Sequence, residues 1–286
     1  MKNRIKEMLK NNKISYSIII MVKEIYYNIL RDNMLMFAAF LRSKNLIGKR
    51  YEELKKYKDI HKGERCFIIA TGPSLTIEDV KLLKDEYTFS MNAFVKIIEE
   101  IGWAPTYYGI QDCFVYEKLE KDILGARLND VFIGNSINKK TPKPKNSIEY
   151  PLAYCGREYG FDRKEYRTKF SDDIFSIVYD GYSITYSLIQ IAAYMGFKEI
   201  YLLGCDCNYE KDKPNHFVEL EESERDKTMK EYFSKCKDRM TVGYVEAKKY
   251  AEKNDIKIFN ATRGGMLEVF PRVNLEEVVK KNEALF

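Results

Sequence analysis

Two stretches of the same design constrain the fold most: Cys66-Phe67-Ile68-Ile69-Ala70-Thr71-Gly72-Pro73-Ser74-Leu75 and Glu199-Ile200-Tyr201-Leu202-Leu203-Gly204-Cys205-Asp206. Each is a short apolar run that ends in a glycine turn carrying polar residues. A run of this length without polar alternation suits a strand covered on both faces, as in a parallel sheet between helical layers. The fold class expected is α/β, a Rossmann-like, mostly parallel sheet flanked by helices. A length of 286 residues suffices for one such core and an appendage.

The rest of the chain extends this pattern. Thr76 with Asp79 marks a capped helix over 77–84, Tyr87–Asn92 reads as a second strand before a helix at 93–100, and 106–110 and 131–134 read as third and fourth strands. Ser183 caps an almost wholly apolar helix to Met195, which must be buried against the sheet. One or two charged helices follow over 222–252, then a short strand at 256–259 and a terminal helix from Leu275. The domain expected is 63–286, with 139–173, basic and proline-broken and then rich in tyrosine, as a lid-like insertion over the site.

Residues 1–62 form a helical N-terminal appendage in this reading, with 42–62 a charged surface helix and linker. Ile18, Met21, Val22, Ile25 and Ile29 recur at helical spacing, but Lys23, Glu24, Arg31 and Asp32 interrupt the run. A span needs roughly 20 nearly uncharged residues, so this segment does not cross a membrane. It packs on the domain or on a second subunit as a homo-oligomer, or it lies on a membrane with Lys2, Arg4, Lys6, Lys10 and Lys13 facing anionic lipid. No cleavable signal pattern is evident, and a cytoplasmic protein, in the second reading at the inner face of the membrane, is expected.

Composition narrows the function classes. Lys+Arg 48 against Asp+Glu 43 gives +5 in a chain that is 32% charged, with no basic stripe of the kind that binds nucleic acid. Six cysteines without a CxxC pair suit reduced thiols better than disulfides or zinc, and two histidines, His61 and His216, exclude a histidine-rich metal site. Neither a P-loop nor a G-x-G-x-x-G fingerprint is present.

Polar residues nevertheless follow one strand after another: Thr71, Gly72, Pro73 and Ser74, then Asn92, Asp112, Asn135, Gly204 with Asp206, and Asn260. Ligands of open α/β sheets bind outside the carboxyl ends of the strands, so these residues are the expected nucleotide site. The turn at Gly72 before a helix amino terminus suits a phosphate. Asn92 is read equally as a helix cap or as a contact to base or ribose.

The set IIATGPSL, SMNAF, the apolar helix leading into GFKEIYLLGCD, and IFNATRGG resembles the bacterial cell-surface sialyltransferases and the related 6-hydroxymethylpterin diphosphokinase MptE-like group, over roughly 64–272. The resemblance implies Gly72, Pro73, Ser74 and Asn92 as residues holding a cytidine nucleotide, Ser183 or Thr185 beside it, and Tyr209 on its phosphate. It implies a glycosyltransferase of cell-surface polysaccharide biosynthesis that takes a nucleotide-sugar donor, plausibly a CMP-sugar, and a glycan or lipid-linked acceptor. His216 or Asp206 would deprotonate the acceptor. Without a DxD motif, metal independence is favoured and no cofactor is required. The alternatives are an ATP-dependent pterin diphosphokinase with Mg²⁺ on Asp112 and Asp206, and a catalytically inactive nucleotide-binding scaffold. The last draws on the absence of histidine from Ser234–Gly243, where the sialyltransferases carry their proposed catalytic one.

Overall fold

The computed structural model describes residues 17–19, 21, 22, 25–155, 168–208, 216–218, 220 and 224–283, the side chains of 27–29, 224–237 and 281–283 excepted. Its strands are β1 (Arg65–Ile69), β2 (Thr88–Met91), β3 (Tyr107–Ile110), β4 (Asp130–Gly134), β5 (Ser147–Tyr150), β6 (Leu152–Ala153), β7 (Val178–Tyr179), β8 (Glu199–Leu203) and β9 (Lys257–Asn260). Seven of them form one sheet in the spatial order 5-4-3-2-1-8-9, and every pairing in it is parallel. β6 and β7 make a separate parallel pair. The helices are α1 (Asp32–Ser43), α2 (Ile77–Lys81), α3 (Ile98–Ile101), α4 (Cys113–Gly125), α5 (Ile184–Tyr194), α6 (Glu224–Lys253) and α7 (Leu275–Glu283).

The apolar runs are explained by what covers them. In β1, Cys66 and Ile68 point into a core shared with α5, whereas Phe67 and Ile69 point into a second core with Val80, Leu83 and Leu275. Ten of the eleven residues of α5 are buried, so the expected burial of this helix holds. Burial of Leu188, Ile189 and Ile191 contributes about 1.5–3 kcal/mol each. Gly109 in β3 permits the close approach, because a Cβ there would stand 2.7 Å from Leu188 Cδ2. Gln190, fully buried on α5, is satisfied by the Tyr179 carbonyl at 2.8 Å and by the N–H groups of Ser171 and Tyr179.

Several expectations change. The segment 113–125, unassigned from sequence, is α4, with Tyr116, Leu119 and Ile123 buried at helical spacing. The insertion expected over 139–173 contains β5, an edge strand whose residues alternate between half-buried and buried, and β6; residues 156–167 lie outside the described ones. The linker expected over 42–62 instead holds a 3₁₀ helix, Lys49–Tyr57, that sends Tyr51 and Leu54 into the core. His61 is buried there too, stacked on Phe197 at 4.4 Å with Nε2 2.6 Å from the Tyr107 hydroxyl. The charged region after residue 222 is one long helix, not two. The second strand is followed by a 3₁₀ helix, Asn92–Ile97, before the single turn of α3.

Candidate functional site

The sheet order fixes where a ligand can sit. From β1 the chain moves outward through β2 to β5, while β8 and β9 build the other half, so the switch of direction falls between β1 and β8. Loops that leave two neighbouring strands in opposite directions must part, and they leave a crevice. A cavity of about 210 Å³ opens there. Thr71 and Gly72 line it after β1, Asn92 after β2, Gln111 and Asp112 after β3, and Gly204, Cys205 and Asp206 after β8. The first turn of α5, Tyr244 of α6 and His216 complete its wall.

The turn after β1 is closed on itself. Gly72 donates its N–H to the Gly204 carbonyl at 2.9 Å, and a Cβ on Gly72 would fall 2.0 Å from Asp206 Oδ2. Ser74 donates its hydroxyl to the same Oδ2 at 2.8 Å. Asp206 thus clamps the two loops together. Pro73 and Ser74 are not among the cavity's lining residues. The helix that follows, α2, is five residues long and already capped: Thr76 accepts from Asp79 N–H, and Asp79 is paired with Arg263 at 2.5 Å. The start of α2 is thus already engaged.

The amino terminus of α5 differs. Ser183 occupies its cap position without a capping hydrogen bond, and its hydroxyl lies 3.5 Å from that of Tyr244. The first helical N–H to find a carbonyl is that of Tyr186, on Ser183 at 3.1 Å, so those of Ile184 and Thr185 are left over. Ser183, Ile184 and Thr185 all line the cavity. Two unpaired N–H groups at the positive end of an eleven-residue buried helix suit a phosphate.

A buried hydrogen-bond chain sets the angle of that helix. Tyr150 donates to Gln111 Oε1 at 2.9 Å, and Gln111 donates to Asp180 Oδ1 at 3.1 Å. Asp180 Oδ2 accepts the Tyr182 N–H at 3.2 Å. Gly181 and Tyr182 both have left-handed backbone, and a Cβ on Gly181 would meet the Tyr186 ring at 2.2 Å. Burial holds the Tyr150 phenol well above its usual pKa, so it stays a donor.

The other expected residues separate into those in the cavity and those outside it. Asn92 lines it at a left-handed φ of 49°; its carbonyl accepts from Tyr108, and its side-chain amide bonds no described residue. It caps no helix, since the 3₁₀ helix starts at Asn92 itself and carries no side-chain cap bond. Asp112 also lines the cavity, but its Oδ1 caps α4 through the N–H groups of Phe114 and Val115. Thr185 reaches Met91 Sδ at 3.5 Å. Asn135 lies outside, bonded to Tyr51 and to the Leu152 N–H. Asn260 also lies outside, fully buried and bridging the Leu267 carbonyl and the Thr262 N–H. Tyr209 falls outside the described residues.

Of the two histidines, His216 stands at the cavity. The Phe217 N–H donates to the Thr71 carbonyl at 2.7 Å, which draws 216–218 across the end of β1 and sets His216 Nδ1 3.3 Å from Thr71 Oγ1. His216 is exposed. His61 sits instead where the strands begin, beside the first residue of β3.

Gln111, Asp180, Tyr182 and Tyr244 line the cavity without having been singled out. The Asp180-Gly181 turn signal just before a helix start, and the 240, 244, 247 spacing of buried residues in α6, are the features that locate them. Cys205 and Cys207 line it too, and burial lifts the Cys207 thiol to about 12 and that of Cys205 well above its usual range. Burial thus disfavours the thiolate, the nucleophilic form, of both. The described lining residues include no Lys or Arg. No group of three or more metal-ligating side chains occurs among the described residues.

The family model for 6-hydroxymethylpterin diphosphokinase MptE-like proteins matches residues 41–212, from α1 through the β8 loop. Among solved structures, the chain is similar to the MAf glycosyltransferase of Magnetospirillum magneticum AMB-1, at 15% identity and a TM-score of 0.48, over 82% of this chain and 41% of that one. It is also similar to the sialyltransferase CstII of Campylobacter jejuni, solved with the substrate analogue CMP-3FNeuAc, at 14% identity and a TM-score of 0.41, over 73% of this chain and 86% of that one. The chain thus spans about two-fifths of the length of the Magnetospirillum protein. No curated protein matches the sequence.

Proposed function

The chain belongs to the 6-hydroxymethylpterin diphosphokinase MptE-like family, as its motifs led one to expect, and from that premise we propose that it is a transferase acting on a nucleotide-activated donor. In the preferred reading it moves a sugar from a nucleotide-sugar, plausibly a CMP-sugar, to a hydroxyl of a glycan or lipid-linked acceptor in surface-polysaccharide synthesis. The observation that carries this reading is the position of His216, a titratable side chain on the wall of the switch-point cavity. An imidazole there can accept the proton of an acceptor hydroxyl. The acceptor O–H proton passes to the imidazole, the acceptor oxygen bonds the anomeric carbon, and the bond from that carbon to the phosphate oxygen breaks. The charge of the departing nucleotide is met by the N–H groups of Ile184 and Thr185, while the Asn92 amide faces its base or ribose. Asp206 is the second candidate base, with one oxygen already on Ser74.

A second reading, diphosphate transfer from ATP, follows the family's description and is favoured by one feature: Asp112 and Asp206 line a cavity without Lys or Arg among its described residues. Their uncommitted oxygens fit Mg²⁺, which takes one or two carboxylates beside the nucleotide's own phosphates and would neutralise those phosphates.

The two readings separate in a thermal-shift series. CMP at about a hundred times its Kd raises the Tm by about 5 °C in the first, independently of Mg²⁺. A shift with ATP that requires Mg²⁺, and AMP release with 6-hydroxymethylpterin, select the second. In the first reading His216→Ala keeps the CMP shift and lowers transfer by about 10²-fold or more. Transfer unchanged in His216→Ala removes the histidine from the mechanism, and no shift with any nucleotide overturns both readings.

A further inference from the structure

Twelve of the nineteen exposed large apolar side chains among the described residues lie between positions 18 and 47. Val22, Tyr26, Leu30, Met34, Phe37 and Phe40 recur every three or four residues, and each is about half exposed or more. The inner side of this segment is engaged with the domain: Ala39 is buried, Arg42 donates to the Ser176 carbonyl at 2.6 Å, and Arg31, just before α1, donates to the Tyr154 carbonyl at 2.8 Å. Met34, Phe37 and Phe40, at 68%, 62% and 54% exposure, are not what holds α1 to the domain. Monomeric soluble surfaces seldom leave so many large apolar side chains exposed in one segment.

Charge selects what covers it. The first 50 residues carry eleven Lys and Arg against three Asp and Glu, a net +8, which leaves 37 against 40, or −3, for the remaining 236. The chain's whole positive excess is thus in the segment that bears the stripe. Between positions 25 and 47 the single acid is Asp32, neutralised by Arg31 at 2.7 Å, while Lys44 stands exposed beside Phe40. A second copy of this chain would bring one +8 segment against another. A bilayer with anionic lipid meets both halves of the pattern, apolar side chains entering the interface and lysines staying at the headgroups. No helix among the described residues is long and apolar enough to cross a membrane.

We propose that the outer face of 18–47 is a docking surface for an anionic lipid bilayer, on which the chain lies without spanning it. The placement bears on the site, because Tyr154, held by Arg31, also lines the cavity. In this proposal an acceptor carried on a lipid would approach the site from the side of Arg31 and Tyr154.

The test is co-sedimentation of the full chain with vesicles of phosphatidylcholine alone and with about 30% phosphatidylglycerol. Binding to the anionic vesicles, at least tenfold stronger than to the neutral ones and weakened by 0.5 M salt, is expected. The variant Met34→Gln/Phe37→Gln/Phe40→Gln should keep the native circular dichroism and CMP response and lose vesicle binding at least tenfold. Met266→Gln/Leu124→Gln, exposed elsewhere, should bind as the native chain does. Equal binding to both vesicle types, no binding to either, or a stable dimer that the triple variant dissociates would each overturn the proposal. A lost CMP response with intact vesicle binding would count against the nucleotide site alone.

Discussion

Two turns of this chain read alike in sequence, Thr71-Gly72-Pro73-Ser74 between β1 and α2 and Asp180-Gly181-Tyr182-Ser183 between β7 and α5. Each runs from a strand through a glycine to a serine and a helix. The first spends the N–H of Gly72 and the hydroxyl of Ser74 internally, on the Gly204 carbonyl and the Asp206 carboxylate, and it leads into a short, capped helix. The second is held from behind by Gln111 and Asp180 and leaves the start of α5 uncapped toward the cavity. What makes a glycine turn an anion site is therefore not its sequence but whether its N–H groups already have partners. In the proposed mechanism the first turn is a wall and the second receives the phosphate.

The largest effect expected concerns the loop after β8, to which the first turn is clamped by Asp206. Burial raises the Cys207 thiol to about 12 and that of Cys205 well above its usual range, which disfavours the thiolate of both. At pH 8 Cys207 should react with a thiol reagent about a thousandfold more slowly than an ordinary cysteine, and Cys205 should also be slowed. Rates within tenfold of a free thiol would show that the wall is open. Next come the glycines. Gly72→Ala drives a Cβ into Asp206, and Gly181→Ala drives one into the Tyr186 ring at a φ of 53°, so each should cost about 3 kcal/mol or more in urea unfolding. A loss below about 1 kcal/mol at either position would mean that the contact yields.

Smaller effects divide the two turns more finely. Ser74→Ala removes the hydroxyl bond to Asp206 and should cost about 1 kcal/mol of stability with nucleotide affinity within threefold of native. Asp112→Ala should cost about 1 kcal/mol through the lost cap of α4. Asn92→Gly keeps the left-handed backbone and removes the amide, so affinity should fall a few-fold while stability moves by roughly 0.5–1 kcal/mol. Calorimetric titration beside each denaturation curve checks all three.

The sheet was legible because its strands are covered on both faces and so read as apolar runs, and α5 because almost every residue in it is buried. β5 was not, since Ser147-Ile148-Glu149-Tyr150 is an edge strand with only two buried residues, lying behind a proline-broken basic loop. α4 presents only three buried residues among charged neighbours, and Asp112, its cap, was read as a ligand contact. At the site, strand-end polar residues pointed to the edge of the sheet where the cavity lies. Which of them face the cavity depends on long-range partners: Asn135 is held by Tyr51, 84 residues away, and Asp206 by Ser74, 132 away. Gln111 and Asp180, 69 apart, act together only because β3 and α5 meet.

The central claim is that a nucleotide phosphate rests on the amino terminus of α5, and Ile184→Pro tests it most directly. Proline is tolerated at the first helical position, and Ser183 already has the extended backbone that must precede it, so the helix survives while one N–H is lost. The measurement is the ratio of CMP to cytidine affinity by calorimetric titration. Native protein is expected to prefer CMP at least tenfold, and Ile184→Pro to bring the ratio close to one while Ser74→Ala leaves it intact. A ratio that persists in Ile184→Pro and vanishes in Ser74→Ala would place the phosphate on the turn after β1 and contradict the claim.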